Sequence, residues 1–166
     1  MKIKSVTGQE VLASGGYPTL QATVILDDDT TASAQVPYGA SAGSHEAVML
    51  VDNDPDRYQG KGVLKAVQNI EEIISPAILG QTAKDQAQID KTLIDLDGTP
   101  NKSKLGGNSI LAVSLAVAKA TASSLKKPLY RHIIDTFQTK PNLASLPKPM
   151  MVAIEGGKHA ANSTDL

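Results

Sequence analysis

The 166 residues contain no cysteine and no tryptophan, and phenylalanine occurs once. Without cysteine there is no disulfide framework, no thiolate zinc site and no cysteine nucleophile. Four tyrosines are the only other aromatics, so the core has to be built from Val, Ile, Leu and Ala. The charges nearly cancel, to a formal net of −1 at pH 7, and no face-long basic run is present. That excludes a nucleic-acid partner held by bulk electrostatics. No apolar stretch approaches membrane-spanning length, and Met1-Lys2-Ile3-Lys4-Ser5 lacks the apolar core of a signal peptide. The expected location is the cytoplasm, with no membrane partner.

What is present is the make-up of an ordinary soluble globular chain, 41% hydrophobic and 20% charged. Its length suits one domain, and a chain of about 150 residues buries roughly 68–70% of its unfolded surface. Residues 2–14 mix Ile3, Val6, Val11 and Leu12 with polar partners, and Ser14-Gly15-Gly16-Tyr17-Pro18 signals a turn. From Thr19 to Leu26 the apolar residues Leu20, Ala22, Val24 and Leu26 alternate. Asp27-Asp28-Asp29 then forms a tip, and Thr30 to Val36 returns as the second arm of a hairpin.

Beyond residue 60 the period changes. Val63, Val67, Ile70 and Ile74 recur at helical spacing, with Pro76 and Gly80 expected to end the run. Ile89, Leu93 and Leu96 mark a second helix. Asn108 to Leu125, apolar or small nearly all round, predicts a central buried one. Pro128 opens a last helix through about Phe137. Strands first and helices after, without alternation, predict an α+β fold: a three-stranded antiparallel meander followed by about four helices. Residues 1–138 are the expected domain. Thr139 to Pro149, with three prolines, reads as a linker, and Met150 to Ile154 as a short buried strand without a partner.

The most informative stretch is Pro37-Tyr38-Gly39-Ala40-Ser41-Ala42-Gly43-Ser44-His45-Glu46-Ala47, a loop of small residues and hydroxyls after a strand. Such loops bend over ligands because glycine permits close backbone approach. Gly60-Lys61-Gly62-Val63, Ala83-Lys84-Asp85-Gln86-Ala87, Ile94-Asp95-Leu96-Asp97-Gly98-Thr99, Asn101-Lys102-Ser103-Lys104 and Asn108 to Ser114 follow in order. Together they resemble the N-terminal domain of enolase, the phosphopyruvate hydratase of glycolysis, over essentially the whole chain.

The resemblance implies a cap domain whose mobile loop comprises Gly39, Ala40, Ser41, Ala42 and Gly43, with Ser41 at the position that ligates a second magnesium. It implies a substrate-side role for His159 in Glu155-Gly156-Gly157-Lys158-His159, where the family reads Asn-x-x-Asn-Gly-Gly-x-His ahead of Ala160. Residues 139–166 then correspond to a linker and a first-strand remnant of the catalytic barrel. The family's base lysine, acid glutamate and metal carboxylates belong to that barrel, the first glutamate just beyond Leu166. An enolase-type base works with one or two magnesium ions that stabilise the ene-diolate. The chain alone is therefore expected not to dehydrate 2-phosphoglycerate and not to hold magnesium tightly.

It also departs from the family pattern. Ala13-Ser14-Gly15-Gly16-Tyr17-Pro18-Thr19 stands where the family reads Asp-Ser-Arg-Gly-Asn-Pro-Thr, and Tyr38, Ala42, Val152 and Glu155 replace a serine, a threonine and two asparagines. These losses favour a non-catalytic paralogue that acts as an interaction module. Expected partners are an enolase barrel in trans or a second copy of the chain.

Other candidates reduce to ordinary structure. Gly60-Lys61-Gly62 lacks P-loop spacing. Asp27-Asp28-Asp29 reads as a solvated turn and Asp95 with Asp97 as a helix end. Lys61, Lys65, Lys102, Lys104, Lys126 and Lys127 read as dispersed solubility charges, His45 as a loop anchor, and His132 as a residue on a helix face.

Overall fold

Strict alternation in the second strand organises the sheet. Pleating sends every other side chain to one face, and Leu20, Ala22, Val24 and Leu26 are all fully buried there. The structure is a computed structural model and describes residues 1–37, 39, 43–141, 148–151 and 153. Strands β1 (Ile3–Leu12), β2 (Pro18–Leu26) and β3 (Thr31–Gln35) form one antiparallel sheet in the order β1-β2-β3. Val6 pairs with Val24, which pairs on its other side with Ala32. The meander expected from the sequence is present.

The acidic tip does not gather a metal site. Asp27 lies 3.3 Å from the N-terminal ammonium, Asp29 lies 2.6 Å from Lys4 Nζ, and Asp28 accepts from the Ser124 hydroxyl and from Thr30 N–H.

A helical run follows in three joined parts: α1 (Leu64–Asn69), a π turn (Ile70–Ile74) and α2 (Ser75–Ile78). The run ends between Pro76 and Gly80, as expected: the helix passes Pro76 to Ile78, and Gly80 follows with φ 77°. The π turn lies immediately ahead of α2, with Ser75 N–H donating to the Ile70 carbonyl, five residues back. In an unbroken α-helix each step of four residues overshoots by about 40°. The wider turn offsets this drift, and Ile70, Ile74 and Ile78 are all fully buried.

Helix α3 (Gln86–Asp97) buries Ile89 and Leu93, and α4 (Gly107–Ser124) lies across the sheet. Ala112, Val113, Ala116, Val117 and Ala120 are the inward side of α4. Leu111 and Leu115 remain 43% and 38% exposed, so the helix is not buried all round as its composition suggested. The sheet covers one side only. Helix α5 (Leu129–Phe137) packs on α4 in an inverted sense: His132 is buried, whereas Tyr130, Ile133 and Phe137 face outward.

The largest fully buried side chains are aliphatic, as the scarcity of aromatics required. Among the described residues no single helix is long and apolar enough to cross a membrane. Met150 and Met151, read from sequence as part of a buried strand, are 98% and 87% exposed and lie outside regular structure. No sheet edge of this domain takes them up. Val152 and Ile154 of that expected strand lie outside the described residues.

Candidate functional site

The glycine-rich loop leaves the sheet at one anchor and reaches the helices at another. At its start, Val36 N–H donates to the Leu20 carbonyl at 3.0 Å, and the Thr19 hydroxyl donates to the Val36 carbonyl at 2.6 Å. At its exit, Asn108 clamps Leu50: its side-chain oxygen accepts from Leu50 N–H at 3.1 Å and its amide donates to the Leu50 carbonyl at 3.0 Å. Val48 N–H donates to Asn101 O, and Gly107 N–H donates to Val48 O. That close approach requires glycines at the start of α4. Gly106 has φ 92°, and a Cβ there would lie 2.6 Å from the Leu50 Cβ.

Farther along, an ion cluster ties the segment to β1. Arg57 donates through both terminal nitrogens to Glu10, and Glu10 also accepts from Val63 N–H at 2.7 Å. The Arg57 guanidinium, with help from that N–H, holds the Glu10 carboxyl below its ordinary range against the opposing effect of burial. Asp52 lies 3.6 Å from Arg57 and caps α1, accepting from Leu64 N–H at 3.0 Å and Lys65 N–H at 2.9 Å. Gly62 sits inside this cluster, where any Cβ would collide with Asp52 and Arg57.

Three hollows surround the loop ends. One of about 490 Å³ joins the altered turn (Ala13, Ser14, Gly15) to Val36 and Pro37 at the loop entry. One of about 380 Å³ brings Ser44 and His45 to Asn101 and Lys102. The third, about 520 Å³, is an apolar cleft between the loop exit and helices α3 and α4, with Val36, Val48, Met49, Ile94, Ile110 and Leu111 in its wall.

Of the residues expected at the site, Gly39 and Gly43 are exposed on the loop, and Gly39 edges the apolar cleft. Tyr38, Ala40, Ser41, Ala42 and the whole His159 segment lie outside the described residues. Among the described residues no three His, Asp or Glu side chains converge to hold a metal. These described residues do not by themselves fit a magnesium ion.

Several lysines read as solubility charges have specific partners. Lys61 stands 3.6 Å over the Tyr17 ring, Lys65 Nζ donates to Asp52 O, and Lys127 pairs with Asp135. Lys104 Nζ donates to the Leu96 carbonyl at the end of α3. Sequence reasoning missed Arg57 and Asn108. Arg57 is one of only two arginines in the chain, and choosing the planar, two-pronged cation over lysine is the available signal.

The model of the family described as "Enolase, N-terminal domain" matches residues 3–133.

Proposed function

The chain belongs to the enolase family through that N-terminal domain, and from this premise we propose that it caps an enolase-type active site whose reacting groups lie in a barrel. In this reading the chain contributes shape, a loop anchored at both ends, and exclusion of water, while proton abstraction and magnesium binding belong to the barrel. The carrying observation is the family match over a sheet-and-helix domain whose glycine-rich loop is pinned at Val36 and Leu50. The outward row of Tyr130, Ile133 and Phe137 on α5 supports it, because a cap needs an apolar face for the barrel to cover. Ser41 would join the second magnesium only as the loop closes, and His159 would stand on the substrate side. The cytoplasm, where glycolytic chemistry runs, is the corresponding location.

The test is turnover of 2-phosphoglycerate with magnesium, by the chain alone and with an added enolase barrel domain. We expect none alone and turnover with the barrel. Turnover by the chain alone overturns the reading. Absence from both mixtures favours a second reading, a non-catalytic interaction or self-association module. One observation favours that alternative: the turn at Ala13 to Thr19 has lost the family's acid, arginine and asparagine and instead presents Tyr17 to Lys61.

A further inference from the structure

The apolar cleft between the loop exit and helices α3 and α4 contains one carboxylate whose hydrogen bonding is incomplete. Asp90 Oδ1 accepts from the Ser114 hydroxyl at 2.7 Å and from Gln86 Nε2 at 2.9 Å, which fixes the carboxylate in the wall. Among the described residues its Oδ2 has no hydrogen bond and Asp90 has no ion pair. Two further polar groups of the wall have partners of their own. Both ends of the Asn108 amide are taken by Leu50, and Lys102 Nζ turns to the Pro100 carbonyl at 3.4 Å. Behind Asp90, the Gln86 side-chain oxygen is buried without a partner among the described residues. The patch at Asp90 therefore has spare acceptors, inside a wall that is otherwise aliphatic, and the cation of that wall, Lys102, is turned to Pro100. Glu46, exposed at the rim, adds a second negative charge.

We propose that this cleft is a binding site for a small primary amine with an apolar body, its ammonium on Asp90 Oδ2 and its body against Met49, Ile94 and Leu111. A cleft of about 520 Å³ lies within the range of small-molecule sites, in which a few polar groups orient a mainly apolar ligand. A charge-assisted bond to a carboxylate set in an apolar wall is stronger than one in water. Asp90 and Glu46 outnumber Lys102 in the wall, so the cleft is net negative and disfavours an anion. The site needs neither a barrel nor the capping reading.

The experiment is a titration followed by amide chemical shifts, with benzylamine as probe, benzyl alcohol as its neutral counterpart and benzoate as its anionic one. We expect saturable benzylamine shifts confined to residues 46–49, 90–94 and 107–114, with benzyl alcohol weaker by about tenfold and benzoate silent. Asp90→Asn should weaken benzylamine by about tenfold. Ile94→Lys, which places a competing ammonium in the cleft at a half-exposed position, should abolish binding. No saturable shift, equal affinity for amine and alcohol, or unchanged affinity in a folded Asp90→Asn protein each overturns the proposal. If Asp90→Asn does not fold, unchanged binding in Ile94→Lys overturns it alone.

Discussion

At the C-terminal end of α3, Asp97 accepts from Leu105 N–H at 2.7 Å, from Thr99 N–H at 2.9 Å and from the Thr99 hydroxyl. The residue is 2% exposed, and from that buried position it ties together Thr99 and Leu105 in the connection from α3 to α4. Burial alone would raise its carboxyl. The donors, chiefly the Leu105 N–H, outweigh that effect and hold it below the ordinary carboxylate range. Asp97→Ala leaves buried donors unanswered and should cost about 3 kcal/mol in denaturant unfolding. A folded-state value below the unfolded one means the stabilisation is complete above about pH 4 and is lost as pH falls through the folded value. Asp97→Asn should therefore flatten the acid limb of the stability profile. A variant as acid-sensitive as the parent would show that other carboxylates set that limb.

At the scale of elements, the buried face of β2 was legible and that of α5 was not, although both elements were, for one physical reason. Alternation reports the buried face of β2 because the helices that cover it are in the same chain. In α5, Tyr130, Ile133 and Phe137 have the spacing of a buried stripe, yet they are 60%, 42% and 56% exposed and His132 is buried instead. Periodicity identifies an apolar face without saying what covers it. The buried imidazole makes the docking of α5 sensitive to pH. Burial lowers the His132 value, Lys127 lowers it further, and Asp135 opposes them. A histidine kept neutral in the fold contributes stability that is complete above its unfolded value of about 6.5 and is lost as pH falls through that value towards the folded one. Between pH 7.5 and 5.5 the wild-type melting temperature should fall, and His132→Leu should remove most of the fall. Parallel profiles for the two proteins would assign the fall elsewhere.

Across the whole molecule, the contacts that define the site join residues far apart in the chain: Glu10 with Arg57, Leu50 with Asn108, Asp90 with Ser114. Leu50 takes part through its backbone and the others are individually ordinary polar residues, so nothing local marks them. The family motifs around Gly39 and Gly43 were legible because they are contiguous. The hydrophobic core, by contrast, extends from Ile3 only to Ala120, with α5 laid over α4. Every described residue from Gln138 onward is exposed. Folding should not need the segment after α5: a protein ending at Gln138 should keep cooperative unfolding and lose less than about 1 kcal/mol, a shift of a few degrees in Tm. A larger loss would show that the linker or the residues beyond it pack on the core. Light scattering on the same two proteins separates a further pair of cases. If the tail mediates self-association, the shortened chain has the smaller assembly, whereas an equal number of copies in each places any contact on the domain itself, where the open face of α5 is the first surface to substitute.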